Sequence, residues 1–201
     1  RIPSADLGFL TGLTDLRLGA NLLTGSIHPS LCRCSNLKTL DLSSNYLDGE
    51  LPEQIGTLRH LTVLNLSRNT FTGWLKKWIG MPTIQRLSLQ HNHLRGGLPD
   101  SIGRLARCEY LHLNDNRFDG ELDVQTFSSM HYGVREIHLQ GNRFFDDDTE
   151  KNFQNKDDDS GFMDDNSDDG SEDSQSSRRR VKLLEAKAEL EEMFTECSVL
   201  M

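Results

Sequence analysis

Two histidines, His112 and His138, end two copies of one short pattern, Tyr-Leu-His and Glu-Ile-His. If both copies are strands of one parallel sheet, about 4.8 Å apart, the two imidazoles lie side by side with Glu136, and His91 and Asp115 lie nearby. Such a set could bind a metal ion, but histidines on an open, water-exposed sheet more often belong to a protein-binding surface. The chain shows no accompanying set of nucleophile, base and orienting group, and no phosphate-binding glycine loop. The sequence therefore predicts no catalytic residue, no cofactor and no metal.

The elements that would position these residues recur along the chain. Six asparagines follow the same alternating leucine pattern, as in Leu37-Lys-Thr-Leu40-Asp-Leu42-Ser-Ser-Asn45, at successive spacings of 24, 24, 23, 24 and 26 residues. Leu-x-Leu alternation predicts a short strand with one buried face, and an asparagine side chain can satisfy backbone groups where the chain turns away. Because no copy can bury its own leucines, stacked copies must share one continuous core. The predicted structural ladder consists of Asn21, Asn45, Asn69, Asn92, Asn116 and Asn142.

The segments between strands narrow the repeat type. After the asparagine comes a hydrophobic-x-Gly step such as Leu47-Asp48-Gly49, then Glu50-Leu51-Pro52, then Ile55-Gly56-Thr57-Leu58. This pattern closely resembles the plant-type leucine-rich repeat, LxxLxLxxNxLxGxIPxxIGxLxx. The resemblance implies an α/β solenoid with a curved parallel β-sheet on the concave face and irregular or short helical segments on the convex face. It is specific for fold and weak for function, since repeat folds bind many kinds of partner.

The chain divides into three parts by composition. Residues 1–145 carry the repeats, about six of them, and we expect this solenoid to be incomplete at its N-terminal end. Residues 146–177 form an acidic segment, in which positions 146–173 hold 13 Asp or Glu and 2 Lys. Such a composition cannot bury enough apolar surface to fold and predicts a disordered linker, acting either as a spacer or as a contact for a basic partner.

Residues 178–201 are predicted to form an amphipathic C-terminal helix. Leu183, Ala186, Leu190 and Met193 follow one another at steps of three and four residues, which places them on one face. An isolated helix has no core of its own, so this face needs a cover. It would dock either on the open end of the solenoid or on another protein, and the expected contact residues are Leu183, Leu190 and Met193.

The expected function is recognition without catalysis. On the concave face, Arg86, Tyr110, His112, Glu136 and His138 supply the large side chains that dominate protein interfaces. The chain is interpreted as a protein–protein interaction module, a scaffold or structural subunit of a larger complex. The alternative is a fragment of a receptor-like ectodomain that recognises a peptide or co-receptor, and a metal-dependent enzyme is an outlier.

The sequence lacks the features typical of nucleic-acid binding, secretion and membrane insertion. The concave face has no stripe of lysine and arginine, so no nucleic acid is expected. No signal peptide and no apolar run long enough to span a bilayer is present, and Cys32, Cys34 and Cys108 fit small buried side chains. We expect an intracellular, cytoplasmic protein, with an extracellular location as the alternative.

Overall fold

The repeats form one parallel sheet along the concave face. The computed structural model describes residues 7–75, 81–130, 133–144, 172–193 and 198–200. Within these residues the main sheet has seven strands. In their order across the sheet, they are β1 Asp15–Arg17, β3 Thr39–Asp41, β5 Val63–Asn65, β6 Arg86–Ser88, β8 Tyr110–His112, β10 Glu136–His138 and β12 Ser198–Leu200. Each strand is short because only one Leu-x-Leu unit per repeat supplies the alternation.

The pairing confirms the register predicted from the asparagine spacing. Every pair of neighbouring strands in the seven-stranded sheet is parallel. The middle residues of these strands, such as Leu40, Leu64 and Leu111, align with one another. These leucines are fully buried. The flanking residues of each strand therefore point to the opposite, concave side.

The asparagines close the turn after each strand. The Nδ2 atom of Asn69 donates to the carbonyl oxygens of Leu42, Leu66 and Ser67, and its Oδ1 accepts the backbone N–H of Leu47. The bond to Leu42 and the bond from Leu47 both join it to the preceding repeat. The asparagine side chain thus links successive copies as well as completing its own turn.

The turns use a left-handed residue just before the asparagine. Ala20, Ser44, Arg68, His91 and Asp115 have φ between 53° and 56°. This conformation costs free energy in a non-glycine residue. The hydrogen bonds from the asparagine side chain to neighbouring carbonyl groups offset that cost.

The remaining segments complete each coil. A second row of short parallel strands comprises β2 Thr24–Gly25, β4 Tyr46–Leu47, β7 Arg95–Gly96, β9 Arg117–Gly120 and β11 Arg143–Phe144. The convex side carries 3₁₀ helices at Pro29–Arg33, Glu53–Thr57, Asp100–Arg104 and Val124–Met130. Proline begins or precedes several of these because it needs no donor there.

One continuous core runs between the two sides. It includes buried leucines from every described repeat and the fully buried rings of Phe71, Phe118 and Phe127. The rings of Phe118 and Phe144 stack, with centroids 6.5 Å apart and planes at 9°. Stacked identical positions make each repeat depend on its neighbours.

The C-terminal segment covers the last repeat. Helix α1, Glu172–Met193, has Ala186 and Leu190 in the solenoid core, and Leu183 packs against that core. Lys182 Nζ lies 3.8 Å from Glu121 Oε1. Of the two docking options for this helix, the structure shows packing on the chain's own solenoid.

The bounds of this segment differ from the predicted helix over residues 178–201. Helix α1 begins earlier, at Glu172, and ends at Met193, and β12 at Ser198–Leu200 is a strand that pairs with β10. The physical reason is the free edge of β10, whose backbone groups would otherwise stay unpaired. Residues 146–171 of the predicted acidic linker lie outside the described residues.

Candidate functional site

The concave cluster, defined as Arg86, Tyr110, His112, Glu136 and His138, lies on three consecutive strands. Arg86 aligns with Tyr110, and Tyr110 aligns with Glu136, in the first column of the sheet. His112 aligns with His138 in the last column. The structure therefore brings together all five concave residues singled out in the sequence.

The rings of the cluster form a continuous series of contacts. The Arg86 guanidinium carbon lies 4.2 Å from the centre of the Tyr110 ring, within the range of a cation–π interaction. The Tyr110 and His112 ring centroids are 6.4 Å apart with planes at 80°, an edge-to-face contact. The His112 and His138 rings stack at 4.4 Å with planes at 17°. Side chains held in this way lose little conformational freedom when a partner binds.

The Glu136 carboxylate lies within reach of both histidines. Its Oε2 is 3.1 Å from His112 Nε2 and 3.9 Å from His138 Nε2. The side chains are 19% exposed for His112, 24% for His138 and 39% for Glu136. The nitrogens and the carboxylate oxygen can thus still reach a ligand.

The environment lowers the pKa of His138. Burial is the largest cause, and repulsion by His112 adds to it, while the Glu136 carboxylate opposes both. His138 is therefore biased towards its neutral form. A neutral imidazole can accept a hydrogen bond or a metal ion through its free nitrogen.

At the N-terminal end of the sheet, the equivalent side chains are small or already form hydrogen bonds or ion pairs within the chain. Asp41 Oδ1 accepts the N–H and the hydroxyl of Ser43, at 3.0 and 2.6 Å, and Asn65 makes the same pair of bonds to Ser67. Arg17 forms an exposed ion pair with Asp15. The capacity for contact is concentrated at β6, β8 and β10.

A neighbouring column of amides was not singled out as a site by the sequence. Gln90, Asn114 and Gln140 follow the strands that carry the cluster, and one side-chain oxygen of each is buried with no hydrogen-bond partner among the described residues. His91 and Asp115 form a separate pair, Nδ1 to Oδ2 3.4 Å. The repeat alignment shows the column, but only the structure shows that these oxygens lack donors.

The thiols that the structure describes do not add a nucleophile to this surface. Cys32, Cys34 and Cys108 are buried, and burial raises the pKa of the Cys108 thiol to about 12. A thiol in this state is inert.

The predicted contacts of the C-terminal helix have different environments. Leu190 is 0% exposed in the solenoid core, and Leu183 is half-buried against it. Met193 is the last residue of α1, and its side chain lies outside the described residues. The outward side of the helix carries Val181 and Leu184, which are 51% and 57% exposed.

Comparison with known proteins agrees with the repeat geometry. A family model described as leucine rich repeat matches residues 11–71, 35–94 and 59–118, which together cover more than half of the chain. The chain belongs to the leucine-rich repeat family. The leucine-rich repeat fold is typical of proteins that interact with other proteins. A search of curated proteins found no match.

Solved structures that are similar to this chain include plant receptors. The plant peptide hormone receptor RGFR1, solved in complex with RGF2, is 28% identical with a TM-score of 0.66, and the match covers 69% of this chain and 22% of that one. The ectodomain of the Arabidopsis thaliana membrane receptor kinase GASSHO1/SCHENGEN3, in complex with CASPARIAN STRIP INTEGRITY FACTOR 2, is 34% identical with a TM-score of 0.67, covering 69% and 17%.

A third similar structure comes from a smaller protein. A chain of the BIR3–SERK2 complex from Arabidopsis thaliana is 32% identical with a TM-score of 0.56, covering 64% of this chain and 66% of that one. By contrast, this chain spans about a quarter or less of the length of the two receptor chains, RGFR1 and GASSHO1/SCHENGEN3. In the described part of the chain, no helix combines the length and the apolar character needed to cross a membrane.

Proposed function

We propose that this leucine-rich repeat protein is a recognition module of the receptor-ectodomain type, which binds a peptide or a co-receptor through the concave cluster. The observation that carries the proposal is the pre-arranged series Arg86, Tyr110, His112 and His138 across three adjacent strands. Arginine and aromatic side chains in ordered positions are typical of residues that dominate binding energy.

The similar structures support this function. RGFR1 and GASSHO1/SCHENGEN3 were solved with RGF2 and CASPARIAN STRIP INTEGRITY FACTOR 2 bound, and BIR3 was solved with SERK2. The first is described as a peptide hormone receptor and the second as a membrane receptor kinase. These likenesses favour the receptor-type alternative over the scaffold, and an extracellular location over the cytoplasmic one expected from the sequence.

The mode of binding follows from the surface. A peptide lying across the concave face would contact Arg86 through an acidic group or a carbonyl oxygen, and Tyr110 and the histidine pair through apolar or aromatic side chains. The module itself carries out no chemical step.

The scaffold interpretation keeps one supporting observation. Leu190 is buried against the chain's own solenoid, so that face of α1 is occupied. Val181 and Leu184 remain exposed on the outward side and could serve a partner within a larger complex. A scaffold would then bind through the outer face of α1 rather than through the side that holds Leu190.

The two functions can be separated by selecting a ligand and mapping its contacts. Random peptides displayed on phage are selected on the full chain, and the affinity of the best peptide is measured by calorimetry. The double variant Tyr110→Ala/His112→Ala is expected to lose at least tenfold in affinity, since a residue that dominates an interface contributes about 2 kcal/mol or more.

The matched control is the double variant Asp15→Ala/Arg17→Ala. These residues occupy the same two columns at β1 and are exposed, so the variant should bind like the wild type. Equal affinity of the cluster variant and the wild type, with both folded, would reject the proposed surface. Loss of binding on Val181→Ser/Leu184→Ser instead would favour the scaffold.

A further inference from the structure

We propose that His112, Glu136 and His138 form a binding site for one divalent transition-metal ion of the zinc class. Each residue offers one ligand atom, and the three atoms lie within 4.8 Å of one another. Two imidazoles and a carboxylate are a donor set that suits zinc, copper and nickel. This differs from the absence of metal expected from the sequence.

The separations of the donors fit a tetrahedral ion. Zinc bonds to nitrogen and oxygen are about 2.0–2.2 Å long, so two ligands of one tetrahedral ion lie about 3.4 Å apart. Glu136 Oε2 is 3.1 Å from His112 Nε2 and 3.9 Å from His138 Nε2, values that bracket this distance. The largest separation in the set, at most 4.8 Å, must close by no more than about 1.4 Å.

The closure requires a change of ring orientation rather than of backbone. The His112 and His138 rings are stacked at 4.4 Å, and the lone pairs of two stacked rings, which lie in the ring planes, do not meet at one point. Rotation about χ2 turns the two nitrogens towards a common ion, and this torsion has a broad energy profile for histidine. The strands themselves are fixed by the ladder of β8 and β10.

The surroundings favour a bound ion over an empty cluster. All three side chains are more than half buried, which reduces competition from water. With three protein ligands, the ion keeps an open position on the concave side, where a water molecule or a partner group can bind.

The site is tested by titrating the full chain with zinc chloride in an isothermal calorimeter. The acidic residues between 146 and 173 can bind divalent ions weakly, so the titration is carried out with millimolar magnesium, which occupies exposed carboxylates but not imidazoles. The expected result is one zinc ion per chain with a dissociation constant in the micromolar range or below.

Variants assign the ligands. His138→Ala and His112→Phe should each weaken zinc binding at least tenfold, and His112→Phe retains an aromatic ring that can stack on His138. His93→Ala, at an exposed histidine outside the set, should bind zinc like the wild type. Circular dichroism without zinc checks that every variant is folded.

Coordination is then read directly. With one equivalent of Cu²⁺, electron paramagnetic resonance should show hyperfine splitting from two imidazole nitrogens, and His138→Ala should show one. A zinc dissociation constant above 1 mM for the wild type, or unchanged affinity and spectra in His138→Ala and His112→Phe, would overturn the proposal. Peptide binding is measured separately and does not enter this test.

Discussion

Leu190 holds the C-terminal helix on the solenoid, and its replacement by alanine should release that helix. The Leu190 side chain is 0% exposed and lies in the same core as the last repeats. Replacing a fully buried leucine by alanine costs about 2–5 kcal/mol, because apolar contact is lost and a cavity remains. We expect a value in the lower part of this range, since the helix lies at the end of the core and can shift to close the cavity.

The loss of packing free energy should destabilise helix α1 before it destabilises the solenoid. Among the described side chains of helix α1, at residues 181–192, only Ala186 and Leu190 are buried, and the helix spans 22 residues. A helix separated from its packing surface is only marginally stable in water. The amides of α1 should therefore exchange with solvent roughly 30-fold faster for each 2 kcal/mol lost, whereas those of β3 and β5 keep the wild-type rate.

The matched control lies on the same helix. Leu184 is 57% exposed, and the same substitution to alanine there should change stability by less than about 0.5 kcal/mol. Hydrogen exchange followed by mass spectrometry compares Leu190→Ala, Leu184→Ala and the wild type. If α1 exchanges at the same rate in both variants, the packing described for the C-terminal segment is wrong.

Two further predictions concern the ladder and the histidine pair. Asn69→Ala should lower the free energy of unfolding, measured in urea, by about 3 kcal/mol, because it leaves buried carbonyl and N–H groups unpaired. Asn21→Ala, at an exposed turn, should lower it clearly less. Equal losses in the two variants would contradict the role given to burial. In NMR titrations the pKa of His138 should lie below 6.5, and His112→Ala should raise it by removing a repelling charge; an unchanged pKa would rule out the coupling. Because the folded state binds this proton less readily than the unfolded chain, the stability contribution is present above the unfolded pKa and is lost as the pH falls through the folded pKa.

The asparagine period made the sheet predictable. Once the strands are aligned on Asn92, Asn116 and Asn142, the pairing of Arg86 with Tyr110 and of His112 with His138 follows, and the structure has that register. Register propagates because each repeat can stack in only one way without exposing its leucines. The glycine of the hydrophobic-x-Gly step is left-handed in the structure, as at Gly49 with φ 74°.

Other features have no signal in the sequence. Ser44 and Arg68 adopt positive φ although neither residue type favours it, because the turn is set by the following asparagine. Ser198–Leu200 continues a helical pattern and yet forms β12, since the free edge of β10 outweighs local preference. The ring stacking of the histidine pair depends on side-chain rotamers, which register alone does not determine.

The central claim, that the concave cluster is the recognition surface, is tested most directly by mapping a bound peptide on the full chain. Backbone amide chemical shifts are recorded with and without the selected peptide. The largest changes are expected at β6, β8 and β10, in and around Tyr110 and His112, with little change at β1 and β3. Changes concentrated on the convex 3₁₀ helices or on the outer face of α1 would contradict the claim.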